Sequence, residues 1–108
     1  MTVRDMAESL GLEVFCLCDG DREVSGGYAG DLLSWVMGRA KAGDAWVTIM
    51  SNVNIVAVAT LADPSCIILS EGVVPDADAL KRAESMGVNV LGSKRDTFAL
   101  CAEISGLL

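Results

Sequence analysis

Histidine is absent from this 108-residue chain. That removes the side chain that most often acts as a general base near neutral pH, and the commonest metal ligand. Basic residues are scarce as well: 8 Lys and Arg stand against 15 Asp and Glu, a formal net charge of −7. A surface of that sign repels a phosphate backbone, which argues against nucleic-acid binding. No apolar run approaches the roughly 18 residues of a membrane-spanning helix. The opening Met1-Thr2-Val3-Arg4-Asp5 lacks the apolar stretch of a secretory signal. A cytoplasmic location and no membrane contact are therefore expected. There is no G-K-[ST] phosphate loop, no nucleophile elbow, no C-x-x-C pair, no internal repeat and no low-complexity tract.

What the chain does have is apolar surface: 52% of its residues are hydrophobic. The length fits one domain with one core. Apolar area beyond the needs of so small a core predicts burial between subunits, hence a homodimer. The four cysteines, Cys16, Cys18, Cys66 and Cys101, fall in apolar or helical runs and read as buried, reduced core residues. Cys16 and Cys18 alternate, so both point to one face of a strand.

Periodicity divides the chain into alternating elements. A helix over 2–10 is capped by Thr2, with Asp5 three residues on, and stopped by Gly11. A strand over 12–18, apolar on both faces, reads as a buried parallel strand. A charged turn from Asp19 to Glu23 leads to the glycine-dense segment Ser25-Gly26-Gly27-Tyr28-Ala29-Gly30, read as a turn. Asp31 is placed as N-cap of a helix over 31–41 whose Leu32, Trp35 and Val36 face the core. A strand over 45–50 follows, then a helix over 55–61 that Asn54 caps, then a strand over 65–69. Pro75 opens a helix whose inner face carries Leu80, Ala83 and Met86, closed by Gly87. A strand over 88–91 and a helix over 97–104, capped by Asp96 and burying Phe98 and Cys101, complete the chain. Such alternation predicts an α/β class: a three-layer α/β/α fold with a mainly parallel sheet of four or five strands.

In open sheets of this class ligands bind beyond the carboxyl ends of the strands. Three groups of residues are candidates there. Ser25, Gly26 and Gly27 precede a helix and can aim backbone N–H groups at an anion, or can serve only as a turn. Ser51, Asn52 and Asn54 can hydrogen-bond a small molecule, or satisfy backbone at a corner. Ser93 and Lys94, beside Arg95, can attract an anion, or stand as solvated surface. Asp19, Asp21 and Glu23 offer carboxylates to a hard cation but read as a solvated turn. No catalytic residue, metal ligand or cofactor site is assigned.

Three stretches carry a family resemblance. Glu23-Val24-Ser25-Gly26-Gly27-Tyr28-Ala29-Gly30-Asp31-Leu32-Leu33, then Trp46-Val47-Thr48-Ile49, then Asn54-Ile55-Val56-Ala57-Val58-Ala59 together resemble the DRTGG domain, as does the tail with Pro75, Leu91 and Asp96-Thr97-Phe98. Glu23 to Gly27 stands where the family name reads Asp-Arg-Thr-Gly-Gly: the hydroxyl and both glycines are kept, the acid–base pair is not. The resemblance implies a fold similar to the N-terminal domains of HPr kinase/phosphorylase and of Mur ligases. It also implies the accessory role such domains have in phosphotransacetylases and beside CBS domains in regulated pyrophosphatases, where they help form dimers. The family's kinase activity belongs to another domain and does not carry over. The expectation is a stand-alone regulatory or accessory module, homodimeric and not an enzyme, that takes a small nucleotide-like ligand at the strand ends. The alternative is an interaction module that docks on a partner enzyme with no ligand of its own.

Overall fold

The structure, a computed structural model, describes residues 1–108. Five helices and five strands alternate along most of the chain: α1 (Val3–Leu10), β1 (Glu13–Cys16), β2 (Gly26–Ala29), α2 (Leu33–Arg39), β3 (Asp44–Thr48), α3 (Asn54–Ala62), β4 (Cys66–Leu69), α4 (Ala77–Met86), β5 (Val90–Gly92) and α5 (Thr97–Leu107). The strands form one sheet in the order β1-β5-β4-β3-β2. β2, β3, β4 and β5 run parallel, and β1 pairs antiparallel with β5. The α/β/α class with a mainly parallel, five-stranded sheet is as the alternation predicts.

The strand period of two splits the apolar residues between two cores. One face of the sheet gives Ala45, Val47, Cys66, Ile68 and Leu91 to a core closed by α1 and α5. The other gives Trp46, Ile67, Leu69 and Val90 to a core closed by α2, α3 and α4. Each successive β-α-β crossover from β2 to β5 steps one strand further in the same direction. Right-handed connections then keep α2, α3 and α4 on the same face, and only α5, after β5, crosses to the other. α1 carries the capping box: Asp5 N donates to Thr2 Oγ1 at 3.1 Å, and Thr2 N donates to Asp5 Oδ2 at 3.3 Å.

Several expectations need correction. The glycine segment is not a turn but the edge strand β2, in register with β3 from Gly26 opposite Asp44 to Ala29 opposite Val47. Gly26 lets β2 lie close to Asp44: a Cβ there would come within 2.8 Å of Asp44 Oδ1 and push that carboxylate aside. β1 is not a buried parallel strand. It is an antiparallel edge strand with a register shift between Val14 and Cys16, and Val14 is exposed.

Asp31 does not cap α2. The helix begins at Leu33 with no side-chain cap, and the Asp31 carboxylate is held instead by Thr48 and Ile49. Of the three residues expected to face the core from α2, only Val36 is buried; Leu32 and Trp35 lie on the solvent face, where Arg39 stacks on the Trp35 ring at 3.6 Å. Phe98 is 86% exposed because it sits about 200° around α5 from the buried Leu100. Met86, in the last turn of α4, is exposed as well. Asn54 is the first residue of α3 rather than its cap; Asn52 Oδ1 accepts from Asn54 N at 2.9 Å. Cys16 and Cys66 are buried, whereas Cys18 is exposed and Cys101 half-buried.

Candidate functional site: strand ends and an apolar groove

The sheet has two polar rims. At the amino ends of the parallel strands stand Ser25, Asp44, Ser65 and Asn89. At their carboxyl ends stand Asp31, Ser51, Ser70 and Ser93. The candidate ligand residues are therefore not gathered in one place. Ser25 and Gly26 begin β2 at the first rim, where Ser25 N donates to Gly43 O at 3.0 Å. Ser51, Asn52, Asn54, Ser93 and Lys94 follow the ends of β3 and β5 at the second. Gly27 lies within β2.

A ligand crevice opens in open α/β sheets where neighbouring strands send their helices to opposite faces. Here that point falls between β4, followed by α4, and β5, followed by α5. Protein groups close it. Glu71 N donates to Arg95 O at 2.8 Å and Gly72 N to Ser93 O at 2.9 Å. The Ser70 and Thr97 hydroxyls are hydrogen-bonded to each other at 2.7 Å, and Thr97 N donates to the Glu71 carboxylate at 3.0 Å. The candidate polar groups are similarly engaged: Ser51 Oγ donates to Asp76 Oδ1 at 3.0 Å, and Ser93 Oγ accepts from Arg95 N and Nη1. Beside them a shallow hollow of about 360 Å³ lies over Gly11, Glu13 and the exposed Lys94.

A larger concavity lies elsewhere. A groove of about 490 Å³ runs between α5 and the β2 edge of the sheet. Its floor is Gly27, Ala29, Ala45 and Val47, and its wall is Cys101, Ile104 and Ser105. It forms because β2 carries only Gly27 and Ala29 on this face, side chains too small to fill the space beside α5. The groove contains few polar groups and no ion pair. It suits an apolar surface rather than a phosphate. Burial alone raises the Cys101 thiol pKa here.

The acidic turn does not form a metal site. Asp21 pairs with Arg4, and Glu23 with the Met1 amino group at 2.9 Å. No group of three or more Cys, Asp or Glu converges anywhere. No helix is long and apolar enough to cross a membrane.

One residue that sequence reading passed over proves central. Asn89, 2% exposed, accepts from Asp19 N at 2.8 Å and donates to Asp19 O at 2.7 Å and Ser65 O at 3.0 Å. It ties the segment after β1 to the rim of the parallel strands. Its signal was available as the one amide in the apolar run Val88-Asn89-Val90-Leu91.

The fold is a layered α/β/α domain whose crevice is filled by its own polar groups and whose open concavity is apolar. A family model described as the DRTGG domain matches residues 29–107, and the chain belongs to that family. Among curated proteins none matches by sequence. One similar solved structure contains the CBS and DRTGG domains of the regulatory region of Clostridium perfringens pyrophosphatase, complexed with an activator, diadenosine tetraphosphate. The likeness has a TM-score of 0.70 at 15% identity and covers 94% of this chain. It covers 44% of that one, so the chain spans less than half the length of its neighbour. At this identity the fold is what is shared.

Proposed function

We propose that the chain is a regulatory or accessory module that works through protein–protein contact, and that the contact is a second copy of itself joined along β2. The observation that carries this is the contrast between the two sheet edges. β1 is blunted as natural edges are, by a register shift and an exposed Glu13. β2, Gly-Gly-Tyr-Ala, has no proline, lysine or bulge to prevent pairing, and the apolar groove lies beside it. Strand addition at such an edge supplies main-chain hydrogen bonds, and the groove supplies apolar burial. Regulation of a partner enzyme is the role this module is proposed to serve, by analogy with the regulatory region of the pyrophosphatase.

Sedimentation equilibrium tests it. The chain sediments as a dimer at micromolar concentration. Ala29→Lys and Ser105→Arg, both at exposed positions on the groove, convert it to a monomer that keeps the wild-type circular dichroism spectrum, with an unfolding temperature lowered only by the association lost and no longer dependent on protein concentration. A monomeric wild-type chain, or a dimer indifferent to both variants, refutes the reading.

A second reading keeps a small nucleotide-like ligand at the carboxyl rim. It is supported by the hollow beside Ser93 and Lys94, where Lys94 makes none of the ion pairs. A ligand at 100 times its dissociation constant adds about 2.7 kcal/mol to stability. An adenine nucleotide that raises the unfolding temperature of the wild-type chain, but not of Lys94→Glu, supports this reading.

A further inference from the structure

The sheet edge opposite the groove carries an unused pair of sulfur atoms. Cys16 ends β1, and Cys18 follows two residues later in the bend beyond the strand, where the chain brings its side chain back beside that of Cys16. Their Sγ atoms lie 3.0 Å apart, inside ordinary sulfur–sulfur contact. The pair is asymmetric. Cys16 is buried in the core beneath α4, whereas Cys18 is exposed, with its thiol directed at Ala83 O 3.9 Å away. The backbone on the far side is fixed, because both the N–H and the carbonyl of Asp19 are bonded to Asn89. The two sulfurs are therefore held together, with one of them open to solvent.

We propose that Cys16 and Cys18 form a dithiol site that undergoes thiol–disulfide exchange with small disulfides. The Cys18 thiolate attacks one sulfur of R–S–S–R, forming a Cys18–S–S–R bond and expelling RS⁻. The Cys16 sulfur, its proton given up to solvent, then attacks the Cys18 sulfur. The Cys16–Cys18 bond forms, the second RS⁻ leaves, and both released thiolates take up protons. The protein pair loses two electrons and the small disulfide gains them. Burial and the adjacent Cys18 raise the Cys16 thiol to about 12, so the exposed sulfur leads and the buried one resolves. A disulfide spanning the single residue Leu17 is strained, and strained, accessible disulfides are readily reduced again. Two acidic residues flank the site: Asp19 is next in the chain, and the charge on Glu84 acts on Cys16. An uncharged small disulfide is accordingly the preferred partner over an anionic one.

The test uses the reduced, folded chain and hydroxyethyl disulfide, with intact mass and peptide mapping as readout. The wild-type chain loses the mass of two hydrogens, and the internal bond maps to the peptide containing Cys16-Leu17-Cys18. Cys16→Ser instead accumulates a stable hydroxyethylthio adduct on Cys18, and Cys18→Ser leaves Cys16 unmodified. Glutathione disulfide, which is anionic, gives the same product more slowly. A wild-type chain that keeps the adduct on Cys18, reacts first at Cys101, or does not react at all overturns the proposal. Circular dichroism shows whether each serine variant folds; if one does not, the wild-type map alone decides.

Discussion

The Asp31 carboxylate accepts hydrogen bonds from the Thr48 hydroxyl at 2.8 Å and from the Ile49 amide at 3.0 Å. Thr48 is 1% exposed at the end of β3, and the same hydroxyl oxygen accepts from Met50 N at 3.2 Å. The contact fastens the β2–α2 connection to the end of the neighbouring strand. Asp31→Ala leaves a buried hydroxyl without its acceptor, a loss of about 1–3 kcal/mol. For a domain of this size that lowers the unfolding temperature by roughly 4–8 °C for each kcal/mol. Replacing Thr48 with Val removes the orphaned hydroxyl, so Asp31→Ala costs less in the Thr48→Val background. A double-mutant cycle by urea unfolding checks the coupling; additive effects would mean that the two residues do not act together.

Asn89 presents a sharper case, because its amide is both donor and acceptor. Asn89→Ala strands one amide and two carbonyls at a buried rim, a cost of about 2–4 kcal/mol. Asn89→Asp keeps the shape but places a carboxylate against the Asp19 and Ser65 carbonyls, and its destabilisation equals or exceeds that of alanine. Chemical denaturation of both variants measures this. A mild effect from Asn89→Asp would show that water replaces the lost donors.

Glu71 sits at φ 61°, a left-handed conformation that disfavours a side chain. Its carboxylate nevertheless accepts from Thr97 N at the start of α5. Two opposing effects therefore meet at one position. Glu71→Ala loses the carboxylate and keeps the strain, and is destabilising. Glu71→Gly loses the same contact but relieves the strain, worth about 1 kcal/mol, and is clearly more stable than the alanine variant. If the two variants unfold at the same midpoint, the strain is not real.

These residues show which parts of the molecule were legible in the sequence. α1 was readable almost to the residue, because Thr2, Asp5 and Gly11 are local signals and act on adjacent backbone. The alternation of elements was readable because apolar periodicity is a local property. The fate of the glycine segment was not. Gly26 to Ala29 has turn composition, but β3 supplies a pairing partner, and tertiary pairing overrides local preference. Asp31 was misplaced for the same reason: an acid ahead of a helix is a cap by local rules, until Thr48 and Ile49 bid for it from another strand. Loop order alone brings the candidate ligand residues together. Strand direction then put Ser25 and Ser51 at opposite rims, and the contacts among Ser70, Glu71, Ser93 and Thr97 depend on strand order, which alternation does not determine.

The capping box of α1 gives the chain an acid-sensitive contact whose sign can be worked out. Asp5 has its pKa lowered from the ordinary 3.8, first by the hydrogen bond from the Thr2 backbone N–H and then by the Thr2 hydroxyl acting at the same cap. The folded state thus prefers the carboxylate more strongly than the unfolded chain does. Its contribution is present in full above the unfolded value and is lost as pH falls below 3.8 through the lower folded value. Asp5→Asn keeps an oxygen acceptor for Thr2 N but cannot ionise. The stability difference between wild type and Asp5→Asn is therefore constant above about pH 5 and shrinks steadily as pH falls below the ordinary carboxylate range. Urea midpoints of both proteins across that interval check it. A difference that persists unchanged in acid would show that the carboxylate charge contributes nothing at this helix terminus.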